Sequence, residues 1–281
     1  MQLSTEDQRG VRFMLHSVAG FALMNLVVKF LGRFPATELV LFRCIVSIVL
    51  SYAVIRQRGL HPLGNNRLLL CLRGLFGAIA LTLFFFTLQK LPLATAITIQ
   101  YLSPIFTAFF AIFLLKERVA PLQWLFFGIS MLGVLVIKGF EPNLSPFLLL
   151  AGVCSAVFSG LAYNMIRKVR NTDDAVVVVF YFPLMALPIM IVFSFFYWET
   201  PVGIEWLLLL LMGLLTQFAQ INMTKALQST ALSRISGFKY FGLIFALGFD
   251  WLIFGVNYSA ITLLGMLLVV GGVLFNLFSK A

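Results

Sequence analysis

The chain has 281 residues, of which 61% are hydrophobic and only 11% charged, with a mean hydropathy of +1.03. Soluble domains carry about 25% charged residues, because Lys, Arg, Asp and Glu cover most of a water-facing surface. That excludes a soluble enzyme, a disordered chain and a disulfide scaffold, and it turns the net charge of +10 from a nucleic-acid signal into a loop bias of a membrane protein.

Met1 to Gly10 is polar and contains Glu6 and Asp7. The apolar run after it has no small-residue cleavage site, so it reads as a first span rather than a removed signal. A helix needs about 20 mostly apolar residues to cross about 30 Å of hydrocarbon. Ten such segments follow one another, near 11–31, 36–55, 68–89, 92–114, 120–138, 146–166, 175–197, 205–226, 231–254 and 259–278. Barrel strands, at about ten residues of alternating polarity, do not fit these continuous runs. The predicted fold is an all-α integral membrane protein with ten transmembrane helices. Cys44, Cys71 and Cys154 all fall inside apolar stretches without metal-ligand spacing and read as buried thiols.

Ten spans place both termini on one side. If that side is the cytoplasm, its segments hold Arg9, Arg12, Arg56, Arg58, Arg67, Lys116, Arg118, Arg167, Lys168, Arg170, Lys225 and Lys280. The opposite loops hold only Arg33, Lys90 and Lys138. The positive-inside rule then puts both ends in the cytoplasm, with the cell (inner) membrane as the expected location. Lys29, Arg43, Arg73, Arg234 and Lys239 remain inside spans.

Sliding the chain by 139 residues aligns its halves without a gap. Asn25 and Lys29 fall on Asn164 and Lys168, Gln100-Tyr101 on Lys239-Tyr240, and Gly133-Val134-Leu135 on Gly272-Val273-Leu274. Residues 1–139 and 140–281 therefore form two repeats of five helices. An odd number inserts the second half in the opposite sense, the inverted repeat of many secondary transporters.

Five plus five spans in this length, with several local strings, resemble the drug/metabolite transporter superfamily and its EamA-type members. The strings are Glu38 to Arg43 opening the second span, Arg73-Gly74 in the third, Leu93 to Thr98 opening the fourth, and Ser103-Pro104 through Lys116-Glu117-Arg118. The second half departs from them, with Gly242-Leu243 and Gly255-Val256-Asn257 at the matching places. Gly237 to Tyr240 is similar to a string of the subgroup containing S-adenosylmethionine carriers, with no substrate carried over. The resemblance implies a carrier of nucleotide sugars, amino acids, choline-like amines or organic anions. It also implies that spans 5 and 10 support the structure or a dimer, and Gly128, Gly133, Gly265, Gly271 and Gly272 give these spans small faces. A homodimer is an expectation of that kind alone.

A basic side chain at a helix centre costs about 2.5–3.5 kcal/mol on insertion scales, which makes it a functional candidate unless it snorkels. Lys29, Arg73 and Arg234 lie near helix ends and read as snorkelling or structural. Lys239 lies about 12 Å into span 9 at about 1.5 Å per residue, too deep to snorkel. Substrate contact is expected from Lys239 and Tyr240, from their mates Gln100 and Tyr101, from Asn25, Asn164 and Arg43, and from Glu38. Lys239 has an alternative as a buried ion pair with Asp250 or Glu38, and Asn25 and Asn164 have one as interhelical packing amides. Asp250 is expected at the interface or beside Lys29, and Asp173-Asp174 in a solvated turn. His16 reads as structural. Prolines 92, 104, 183 and 188 are candidate bending points.

The expected function is alternating-access transport of a small organic metabolite, anionic or zwitterionic. A channel-like facilitator and a drug or amino-acid exporter stand as alternatives. An intramembrane enzyme is more distant, because HExxH, GxSxG and Walker A motifs are missing. No catalytic residue, metal or cofactor is expected, and the partners are the substrate and the lipid bilayer.

Overall fold

A computed structural model describes residues 5–116, 121–140, 144–229 and 237–278. Among these, the regular structure is all helical: α1 Thr5–Phe30, α2 Ala36–Gln57, α3 Arg67–Lys90, α4 Leu93–Gln100, α5 Ser103–Leu114, α6 Pro121–Phe140, α7 Pro146–Lys168, α8 Ala175–Phe196 and α9 Glu205–Ser229. A 3-10 turn at Gly237–Tyr240, α10 Phe241–Leu252 and α11 Ala260–Phe278 follow. Among the described residues, eight stretches are long and apolar enough to cross a membrane, with α4 and α5 counted together as Leu93–Leu114. A shorter apolar helix covers Ala260–Phe275. Large apolar side chains stand exposed around the bundle, Phe195 at 82% and Leu267 at 67%. Lipid accepts such a surface and water does not. This is a multi-pass membrane protein.

Local sequence explains the helix ends. Ser145 accepts a hydrogen bond from Leu148 N (3.2 Å) at the start of α7, where Pro146 occupies the first turn. Asp174 does the same for α8 through Val176 N (2.8 Å). The fourth predicted span is interrupted, α4 ending at Gln100 and α5 beginning at Ser103. Pro104 has no N–H to give the Gln100 carbonyl, so the α-helical ladder cannot run through. The ninth predicted span changes character at the repeat-related place, from the 3-10 turn to α10 after Tyr240. Its first residues, 231–236, and with them Arg234, lie outside the described residues. Pro183 and Pro188, by contrast, sit within an unbroken α8.

Packing runs between the halves of the sequence: α1 against α9, α3 against α7, α2 against α8, α4 against α10 and α6 against α11. The α6–α11 contact depends on small residues. A Cβ at Gly133 would lie 2.7 Å from Gly265 O, and one at Gly272 would lie 2.8 Å from Phe126 O. At that crossing Ser130 Oγ donates to Val269 O, 139 residues away, at 3.3 Å. The bundle has an upper end, carrying residues 31–35, 91–92, 197–204 and 253–259, and a lower end where α1 and α3 begin and α2, α7 and α9 finish. Leu31, Phe34, Leu39, Leu91, Leu93 and Leu209 form part of a buried apolar cluster toward the upper end. The space this leaves lies from mid-bundle toward the lower end.

Candidate functional site: a cationic cavity between the halves

A cavity of about 170 Å³ lies between α1, α3, the α4–α5 break, α7 and the 3-10 turn, with contributions from α2, α8 and α9. Five of the eight residues expected at the site line it: Lys239, Gln100, Tyr101, Asn25 and Arg43. Their polar atoms are in different states, and that difference decides what each can do.

The Lys239 ammonium lies 4.4 Å from the Tyr163 ring centroid, a cation–π contact. Neither suggested acid reaches it. Asp250 and Glu38 are engaged at the upper end, and no ion pair of Lys239 occurs among the described residues. Tyr101 donates its hydroxyl to the Lys239 carbonyl (2.7 Å), and its ring meets Tyr240 edge-on at 4.8 Å. Gln100 is held at both ends of its amide: Nε2 donates to Ser159 Oγ (2.7 Å) and Oε1 accepts from Ser155 Oγ (2.8 Å). It shapes the wall more than it offers a free donor. Asn25 Oδ1 is buried with no hydrogen-bond partner. Arg43 is 3% exposed, and its guanidinium carbon lies 4.6 Å from the Phe182 ring centroid. Its one hydrogen bond is a long one, 3.4 Å from Nη2 to Gln220 Oε1, and Nε and Nη1 have no partner.

The cavity also holds residues that the sequence reading placed elsewhere. Arg73, expected to snorkel or to serve a structural role near the helix end, is buried at 4% exposure on the wall, with Nε unpartnered and its guanidinium carbon 6.0 Å from the same Phe182 ring. It does not reach the interface because Gly77, one turn on, leaves room for the side chain to fold inward. A Cβ there would collide with the guanidinium and lie 2.9 Å from the Phe182 ring. Gln220, Tyr163 and Phe182 were not singled out. Phe182 had a signal in the sequence, since it is the repeat mate of Arg43 at the 139-residue offset.

Three expected site residues lie outside the cavity lining. Asn164 donates to Thr107 O (2.9 Å) and Gly160 O (3.0 Å), joining α7 to α5, so the packing alternative describes its contacts. Tyr240 is buried behind Tyr101 with its hydroxyl unpartnered. Glu38 is fully buried near the upper end, where Oε2 accepts from Glu199 N (3.0 Å).

Other charges are engaged as well. Asp250 is 0% exposed at the upper end and close enough to Lys29 to interact with its charge, as one of its two alternatives had it. It accepts from Leu93 N (3.0 Å) and Ala94 N (2.7 Å), the first free amides of α4, where Pro92 offers no capping side chain, and from Tyr258 OH (2.5 Å). Lys29 Nζ meets the other side of the same turn, donating to Leu88 O (3.2 Å) and Leu91 O (2.5 Å) at the end of α3. Complementary charges at helix ends satisfy the amides and carbonyls that have no intrahelical partner. Asp173 is likewise 7% exposed rather than solvated, and accepts from Asn65 N at 2.6 Å. Arg33 forms a two-point pair with Glu205, which raises the guanidinium above its ordinary pKa, and also donates to Thr200 O (3.0 Å).

The family model for the EamA-like transporter family matches residues 8–139 and 146–278, nearly the whole chain. The chain belongs to the EamA-like transporter family. This EamA protein is 29% identical over 253 residues to a pseudopaline exporter of Pseudomonas aeruginosa, covering 89% of each chain. It is 29% identical to human solute carrier family 35 member G1, over 87% of this chain and 72% of that one. It is 23% identical to an S-adenosylmethionine uptake transporter of Rickettsia prowazekii, over 96% and 93%. A solved crystal structure 19% identical in sequence superposes with a TM-score of 0.70 over 94% of both chains, which shows a shared fold. The family is one of transporters, not enzymes, and the protein is a membrane transporter of drug/metabolite type.

Proposed function

We propose that this EamA protein moves a small anionic or zwitterionic organic metabolite by alternating access through the cavity between its halves. The observation that carries the reading is the wall itself: among the described residues Lys239, Arg43 and Arg73 line it and no acidic side chain does. Uncompensated buried cations are costly, and a cargo bearing negative charge lowers that cost when it binds. Lys239, Arg43, Asn25 and Tyr101 are the wall residues expected nearest the cargo, with Gln100 holding α4 to α7. Asn164, Tyr240 and Glu38 then support the site from outside.

The mechanism rests on ten spans arranged as two inverted five-helix repeats, residues 1–139 and 140–281. The pairing of α1 with α9 and of α3 with α7 supports it, because inversion turns one contact into the other. So do the self-related pairs α2–α8, α4–α10 and α6–α11. With the basic lower end in the cytoplasm and the chain in the inner membrane, both termini are cytoplasmic. The present conformation is then closed above and has its cavity on the cytoplasmic side.

Counterflow in proteoliposomes tests the reading, since only a carrier is stimulated by cargo on the opposite side. Lys239→Met is expected to weaken an anionic cargo at least tenfold. Unchanged affinity removes Lys239 from the site, and uptake without counterflow replaces the carrier with a channel-like facilitator.

A further inference from the structure

The charge balance of the cavity goes further than a negative cargo. Among the described acids whose side chains are placed, each is engaged elsewhere. Glu38 accepts from Glu199 N, Asp173 from Asn65 N and Asp174 from Val176 N. Glu199 and Glu205 face Arg33, and Asp250 caps α4. Three cations on one wall thus have no carboxylate among the described side chains. They also divide into two stations. Lys239 stands over Tyr163, while Arg43 and Arg73 share the Phe182 ring. The two guanidiniums are at least nine-tenths buried and present unpartnered N–H groups, Nε and Nη1 of Arg43 and Nε of Arg73.

We propose that the cargo carries at least two ionised acidic groups, one of them held by Arg43 and Arg73 as an anion subsite distinct from Lys239. This rests on the carrier reading and specifies its substrate class. A guanidinium offers a planar fork matched to carboxylate or phosphate oxygens, whereas an ammonium is a point charge. A monoanion leaves two of the three cations uncompensated. A zwitterion adds an ammonium for which the wall has no acid. Phe21, Leu81 and Phe84 on the wall provide apolar contact for the cargo's carbon frame.

Titration of the purified full chain tests this, with glutarate and tricarballylate as carboxylate probes and glucose 6-phosphate as the phosphate probe. Butyrate and glycine betaine serve as single-charge and zwitterionic controls. At least one multiply charged probe should bind tenfold or more tightly than either control, and which arm responds separates carboxylate from phosphate. Arg73→Gln should weaken that probe at least tenfold while changing butyrate less than twofold, and Arg73→Lys should recover only part of the loss, because an ammonium keeps the charge without the fork. If Arg73→Gln is not monodisperse, Arg43→Gln is read in the same way. Equal binding of a control, equal loss for all anions, or no binding of any multiply charged probe overturns the proposal. Counterflow of butyrate or betaine would sink the diacid while leaving the carrier intact. A bound probe that shows no counterflow would instead sink the carrier.

Discussion

The upper end and the cavity both contain charge buried in a membrane helix bundle, yet the two regions treat it oppositely. At the upper end Lys29 and Asp250 each meet complementary partners, and Glu38 holds a backbone amide with Oε2 while Oε1 stays unpartnered. In the cavity Arg43, Arg73 and Asn25 keep unpartnered polar atoms, and Lys239 rests on an aromatic face. Buried polar groups in folded proteins are nearly always satisfied. A satisfied charge therefore reads as architecture, and a cluster of unsatisfied ones as a place prepared for something else.

Substitutions of opposite expected sign break or sharpen this contrast. Asp250→Ala should have the largest effect, because it frees two amides of α4 and the Tyr258 hydroxyl inside the bundle. Hydrogen bonds to a charged group contribute about 1.5–3 kcal/mol, so a loss of about 3 kcal/mol is expected in detergent unfolding followed by tryptophan fluorescence. A loss below about 1 kcal/mol would mean the cap is dispensable. Arg43→Met should act the other way: replacing an unpaired buried cation by an apolar side chain of similar length should raise cargo-free stability, by about 1–2 kcal/mol. The same unfolding measurement checks it, and destabilisation would make Arg43 a structural residue. Arg33→Ala should have the smallest effect, because its pairs with Glu205 and Glu199 lie in solvent-exposed surroundings. Raising salt should remove most of that difference, since exposed pairs are screened. A salt-independent loss would place the pair among the buried contacts.

The site was partly legible for the same physical reason. Depth along a helix can be counted, so Lys239 and Arg43 stood out as charges that could not reach water. Arg73 was misplaced because its depth alone allowed snorkelling, whereas Gly77 and Phe182 turn it inward. Glu38 is as buried as any cavity residue, but its direction depends on Glu199, 161 positions away. Asn164 belongs to a repeat pair whose members have different neighbours: Thr107 O receives its amide, while Asn25 faces the cavity. A charge has to be assigned to a wall or a seam before its role can be read, and partners far away in sequence make that assignment.

Sequence alone determined the membrane class and most of the spanning helices, and it contains matches between its halves at a 139-residue offset. These follow from local composition, since a bilayer requires each spanning segment to be apolar and to satisfy its own backbone. The family resemblance was also legible, and the match to the EamA-like transporter family bears it out. Only the tertiary structure decided which buried charges are paired. Asp250 reaches across to α4, Lys29 to the end of α3, and Gln100 to two serines of α7. Each of those bonds satisfies a polar group that water cannot reach. Among the buried charged groups, unpartnered atoms remain on Arg43 and Arg73 in the cavity wall and on Glu38 Oε1 near the upper end.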